Sequence, residues 1–219
     1  MSNVVSLDGV ANYVNCGHNA SLNLITNLTL CCRIKFADFK SYCSLVSKIS
    51  GLLLTNAQYS IFAQVTTGEI RAVINDGVNS NFIASAYIIK LNRWSHMVMV
   101  VSAGFIKLYV DGAKICADTV RTVNPQSQPN WDVFVGGSNL LGYAQNKVSE
   151  AQIYDRDLSD DEVLYNYMHP NNPKRRGLVL NLTQDSIYGP TWLDLSGNAN
   201  NGTYVGGAVP VTNNRLAGR

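Results

Sequence analysis

The strongest constraint on the fold lies between residues 91 and 112, in the stretch LNRWSHMVMVVSAGFIKLYVDG. Met97 to Val101 is an apolar run too short for a typical helix and rich in strand formers. Phe105 to Val110 is β-branched and aromatic, with Lys107 its only charge. Two such runs across Ser102-Ala103-Gly104 predict a β-hairpin at the centre of the fold. Asp111-Gly112 then turns the chain into Ala113 to Ala117, a second hairpin. Surfaces this apolar need a second sheet to cover them.

The rest of the chain supplies strands at short intervals. Leu28 to Phe36 has the clearest alternation. Leu28, Leu30, Cys32, Ile34 and Phe36 fall on one face, and Thr29, Cys31, Arg33 and Lys35 on the other. That period predicts a strand with one side on the core and the other toward polar surroundings. Val4 to Leu7, Tyr13 to Cys16, Leu45 to Ile49, Asn81 to Leu91, Asp132 to Ser138 and Lys147 to Tyr154 read as further strands. Tyr59 to Val65 and Glu69 to Ile74 form a hairpin around Thr66-Thr67-Gly68. One helix is predicted near 159–168: Ser159 is an N-cap with Glu162 three residues on, and Leu158 and Val163 are placed as a hydrophobic staple. The fold class is therefore all-β, an antiparallel two-sheet sandwich with one short helix.

Composition narrows the partners. The 219 residues are 46% hydrophobic and only 15% charged, with a formal net charge of +2. That charge is too small for a nucleic-acid footprint. No run approaches the ~18 apolar residues of a membrane span. Met1-Ser2-Asn3 leads straight into Val4, without a basic segment or a long apolar one, so no secretory leader is expected. The five cysteines (Cys16, Cys31, Cys32, Cys43 and Cys116) lack metal-ligand spacing and are expected as free thiols, mostly buried on strands.

In order and spacing, four stretches resemble the laminin-G/pentraxin-type branch of the concanavalin A-like lectin/glucanase jelly rolls. They are LDGVANYVNCG with SLNL and LTLCCRIKF; LVSKIS; NRWSHMVMVVSAGFIKLYVDGAKI; and VFVGGS with VSEAQIYDRDLSDDEVLYNY. The resemblance runs from about Leu7 to Tyr167 and implies a jelly roll over 1–170, followed by a linker over 171–176. Residues 177–219 then stand out. Their GLVL, DLSGN, NGT and VGG motifs are similar to the opening of such a domain, yet here they follow its closing helix. This segment is expected to complete its own sandwich or a neighbour's, with Leu178, Val179, Leu180, Leu182 and Trp192 as the docking residues.

The resemblance also sets the candidate chemistry. Family glucanases use paired carboxylates on one strand. Here Glu150 lacks its partner, so no enzyme is expected, and no catalytic residue is named. His18, His96 and His169 lack a paired acid, and His96 reads as structural. Calcium is the cofactor the resemblance implies. Asn75, Asp76, Asn79 and Asn81 are its candidate ligands, with the 194–198 loop as a second set; Asx turns explain both sets as well. A glycan would need aromatic platforms beside amide side chains. Trp131, beside Asn130, and Tyr143, with Asn139, Gln145 and Asn146, are the candidates.

Together these features point to a non-catalytic structural subunit on a virus, phage or other particle surface. Such a subunit would assemble with itself by strand exchange or with other particle proteins, and glycan recognition is compatible with the role. A carbohydrate-binding adhesion module is the alternative, and a glycoside hydrolase a distant third. A chain of this kind that is not on a particle is expected in the cytoplasm.

Overall fold

The computed structural model describes residues 2–39, 42–51 and 56–213. In chain order its strands begin with β1 (Ser2–Asp8), β2 (Tyr13–Asn15), β3 (Leu28–Phe36), β4 (Cys43–Ile49), β5 (Ala57–Ala63), β6 (Glu69–Asn75) and β7 (Ser80–Ile88). Then come β8 (Ser95–Val101), β9 (Phe105–Val110), β10 (Ala113–Lys114), β11 (Thr119–Val120), β12 (Val133–Val135) and β13 (Gln145–Tyr154). After helix α1 (Asp160–Met168) follow β14 (Leu178–Leu182), β15 (Ile187–Tyr188), β16 (Thr191–Trp192), β17 (Gly202–Val205) and β18 (Val209–Asn213).

Among the described residues these strands make two nine-stranded antiparallel sheets. The first runs β10-β9-β8-β3-β13-β1-β18, with β11 on β9 and β14 on β13; the second runs β15-β16-β17-β2-β12-β4-β5-β6-β7. The inward faces meet in one core, where Leu30, Ile34, Val46, Tyr59, Ile61, Met99, Leu108, Val135 and Ile153 are all fully buried. This is the jelly-roll sandwich that the strand spacing and the resemblance implied.

The β8–β9 hairpin forms as expected around residues 102–104, and Asp111 and Gly112, both at positive φ, turn β9 into β10. Two left-handed residues in a row match the twist of the flanking strands, which is why Asp-Gly works there. The hairpin is not central, however. It lies toward one edge of its sheet, and β3 and β13 occupy the middle.

The polar back of β3 also needs correction. Thr29 and Cys31 are fully buried, because α1 packs over that side of the sheet. There Cys31, Val98, Val100, Tyr109 and Tyr154 meet Leu158, Val163 and Leu178 in a second apolar cluster. Leu158 and Val163 thus share one cluster, as the staple requires. At the helix start the Ser159 Oγ accepts from the Glu162 N–H, and the Glu162 carboxylate accepts from the Ser159 N–H. Arg156 clamps the same carboxylate through both guanidinium amines and holds it down, at about 2. Ser159→Ala removes one half of the reciprocal cap. It should cost about 1 kcal/mol in a urea melt, with the native fold retained.

The C-terminal strands sit on the chain's own sheets. β13 is long, and two strands share its far edge end to end. Residues 145–148 pair with β1, and residues 151–154 pair with β14. β17 pairs with β2, and β18 pairs with β1, bringing Asn213 opposite Ser2. Leu180, Leu182 and Trp192 are fully buried in the main core; Val179 lines it, and Leu178 lies beneath α1. The expected linker is held at several points: Asn166 Oδ1 accepts from the Lys174 N–H, and Arg156 Nε donates to the Arg176 carbonyl. Residues 214–219 of the segment lie outside the described residues. None of the five cysteines is bridged; four are buried, and Cys116 is half-buried. No helix among the described residues is long and apolar enough to cross a membrane.

Candidate functional site

One end of the sandwich gathers the close of β6, the start of β5 and the 124–131 loop that leads into β12. Asn23 ties these together. Its Oδ1 accepts from Gln58 Nε2 (3.0 Å) and from the Gln128 N–H (2.8 Å), and its Nδ2 donates to Ser127 Oγ (2.8 Å). The Gln126 N–H donates to the Asn75 carbonyl, and Gln128 Nε2 donates to Gln126 Oε1, each at 2.8 Å. Gly77, at a φ of +96°, leaves the space that the Gln126 side chain fills. The result is a cleft of about 130 Å³ lined by Asn56, Gln58, Asn75, Gln126, Gln128 and Trp131.

Gln58 gives the cleft its chemical direction. Lys48 pairs with Tyr59 and Ile49 with Ala57, so Gln58 is the extra residue of a β-bulge. Its Nε2 donates to the Asn23 amide oxygen and the Leu24 carbonyl, while its Oε1 is buried without a partner. The residue is 1% exposed. An acceptor so placed is costly unless something donates to it. Among the described residues the lining carries no charged side chain: beside Ala57 and Gly77 it is five amides and one indole.

The expected site residues are therefore redistributed. Trp131 and Asn75, expected in different sites, line the same cleft. Trp131 precedes β12 and Asn139, Tyr143 and Gln145 follow it, so these residues lie at opposite ends of a strand and do not form one platform with Trp131. Tyr143 stacks on Tyr13 at 6.3 Å between ring centroids, beside Phe134. Asn139 is exposed on a turn whose Ser138 Oγ accepts from the N–H groups of Leu140 and Leu141. Asn146 is not on a loop rim at all. It is buried, and its Nδ2 donates to the carbonyls of Gly136 and Ala144, both at 2.8 Å.

The calcium candidates are turn builders. Asn75 Oδ1 accepts from the Gly77 N–H, and Asp76 Oδ1 from the N–H groups of Val78 and Asn79. Asn81 Oδ1 takes the N–H groups of Thr122 and Val123, pinning a different loop. In the 194–198 loop, the Asp194 carboxylate accepts from the N–H groups of Asn181, Ser196 and Asn200. Backbone N–H groups thus engage Oδ1 of Asn75, Asp76 and Asn81 and the Asp194 carboxylate, the Asx-turn use of such side chains. Among the described residues no three His, Cys, Asp or Glu side chains group as a metal site.

Two histidines are resolved by packing. His96 is fully buried against Tyr167, and burial, with Arg33 second, pushes it down to about 3. His18 does have an acid partner: its Nδ1 lies 2.7 Å from Asp132 Oδ1. The two lie 114 positions apart in sequence, so no local spacing could show that pair.

Fold and cleft together define a lectin-type sandwich with a neutral, amide-rich pocket. The family model of a laminin G-type domain in the concanavalin A-like lectin/glucanases superfamily matches residues 8–164, and the chain belongs to that family. A candidate carbohydrate binding protein from Bacteroides ovatus superposes with a TM-score of 0.74 at 16% identity. It covers 98% of this chain, C-terminal strands included, while this chain spans 60% of that one. The SAP-like pentraxin of Limulus polyphemus gives a TM-score of 0.56 at 16% identity, covering 76% of this chain and 82% of its own. The binding domain of Paraclostridial mosquitocidal protein 1 gives 0.58 at 17%, covering 77% and 46%. At such identities the likeness speaks to the fold. No curated protein sequence shows significant similarity to the chain.

Proposed function

We propose that this chain is a non-catalytic, lectin-like module that binds a neutral glycan in the Trp131 cleft. The observation that carries the reading is the buried, unpartnered Gln58 Oε1 in a cleft otherwise lined by amides and one indole. A sugar hydroxyl donates to such an acceptor. The neighbouring amides offer both donors and acceptors to further hydroxyls, and an indole face suits the apolar C–H face of a pyranose. The space equals about four waters, which fits the edge of one sugar rather than a chain. Among the described residues no carboxylate lines the cleft, which leaves glycosidic cleavage without an acid or nucleophile from them. The Bacteroides ovatus relative, named for carbohydrate binding, supports the same reading.

Display on a virus, phage or other particle surface would set many such clefts side by side and turn weak single-site binding into avidity. Exchange of the C-terminal segment is the route by which copies would link. It requires lifting strands that are paired within the chain.

Trp131→Ala tests the reading on a panel of immobilised neutral glycans. Binding is expected to weaken roughly 30-fold or more, as for a central aromatic anchor, with the melting curve little changed. Undiminished binding would place the sugar elsewhere and reject the assignment.

A further inference from the structure

Trp131 lines the first cleft, and the next residue, Asp132, lines a second. This is an open cavity of about 490 Å³ at the end of β2. Three separate parts of the chain wall it: Asn15 and His18, then Asp132, then Asn200, Asn201 and Thr203 from the C-terminal segment. Asp132 is fully engaged. Its Oδ1 faces His18 Nδ1 at 2.7 Å, and its Oδ2 accepts from Asn15 Nδ2 at 2.9 Å. The pair fixes the imidazole and leaves Nε2 free of the carboxylate.

Asn200 provides an independent pointer. It is 2% exposed, and its Nδ2 donates to the Val179 carbonyl (2.7 Å) and Ser21 Oγ (2.9 Å). Its Oδ1 is buried without a partner. Among the described residues no lysine, arginine or glutamate lines the cavity, and neither does any Phe, Tyr or Trp. Cys16, on the same wall, is buried, and burial pushes its thiol up, so it stays protonated and is no nucleophile. The ligand this chemistry takes is uncharged, rich in hydroxyl donors, and gripped by its edge.

We propose that this cleft is a second saccharide site, built jointly by the body of the sandwich and the docked C-terminal segment. Asn200, Asn201 and Thr203 of its polar wall arrive with that segment, so occupancy favours the docked state. A segment exchanged from a neighbouring copy would rebuild the same site between two chains. The proposal stands apart from the Trp131 cleft, because the lining residues do not overlap.

The test is an NMR titration of the full chain with D-glucose, D-galactose and D-mannose, reading two local probes. The His18 ring resonances report this site, and the Trp131 indole N–H reports the first cleft. At least one sugar should shift the His18 resonances saturably. Thr203→Tyr, which fills the cavity from an exposed strand position, should weaken that response about tenfold or more, the loss of one or more good hydrogen bonds, and leave the Trp131 response intact. A His18 ring that ignores all three sugars, or responds unchanged in Thr203→Tyr, overturns the proposal. A His18 response with a silent Trp131 indole rejects the first cleft and sustains this one.

Discussion

Ending the chain at residue 176 is expected to abolish cooperative unfolding of what remains. The cut removes Leu178, Val179, Leu180, Leu182, Ile187 and Trp192, every one of them buried. At about 1.5–3 kcal/mol per buried large apolar side chain, their sum rivals the about 5–15 kcal/mol that holds a whole domain together. The cut also strips hydrogen-bonding neighbours from β13, β2 and β1, leaving open edges that recruit other chains. The 1–176 fragment should therefore aggregate or melt without a transition by circular dichroism. A synthetic 177–219 peptide should restore the transition. Trp192→Ala is the single-site version. The indole is fully buried, and its Nε1–H donates to the Thr183 carbonyl at 2.7 Å, so about 3–5 kcal/mol should be lost. A monomeric 1–176 fragment with a sharp melt would refute the idea that the segment closes its own sandwich.

The second large effect is expected beneath α1, where Arg33 meets Glu150. Arg33 Nε lies 3.0 Å from Glu150 Oε1, off the line of a good hydrogen bond, and the Glu150 side chain is 2% exposed. Arg33 also donates to the Tyr167 carbonyl at the end of the helix. Burial raises the Glu150 carboxyl, and the guanidinium works against that rise. Arg33→Ala leaves a buried carboxylate unpaired, a loss of about 3–5 kcal/mol at neutral pH. The sign with pH follows from the raised acid. Its penalty is absent below the unfolded-state value and grows as pH rises through the folded-state value. The gap between wild type and variant should therefore narrow in acid. His96 acts in the same direction, since Arg33 helps to depress it and its removal eases protonation. Urea melts at pH 5 and pH 7.5 provide the check. A gap that is constant with pH would mean that Glu150 does not carry the effect.

Much of the fold was legible because its cues are local. The Ser159–Glu162 cap, the Asp111-Gly112 turn and the alternation of β3 are each contained in a few residues. What was missed depends on partners far away in sequence. The back of β3 looked solvent-facing because the pattern cannot show that a helix more than a hundred residues later covers Cys31. β1 and β14 lie end to end beside β13, a relation between opposite ends of the chain that no window contains. The site suffered most. Gln58 sits in a bulge, where strand parity fails, and Gln126 and Gln128 looked like any polar loop. Asn146 could have been read correctly: it shares parity with the core residue Val148, and so points inward. Trp131 and Tyr143 are both aromatics near Asn residues in sequence, and the three-residue β12 between them sets the two candidates at opposite ends of a strand.

Glycan-array binding by the intact chain in the presence of a calcium chelator is the decisive measurement for the cleft. The polar side chains lining the cleft are amides, beside one indole, and Oδ1 of Asn75 and of Asp76 already accept backbone hydrogen bonds. Neutral glycans should be bound, and the chelator should leave the signal unchanged. An array without signal, or a signal that vanishes with the chelator, would contradict this reading of the cleft.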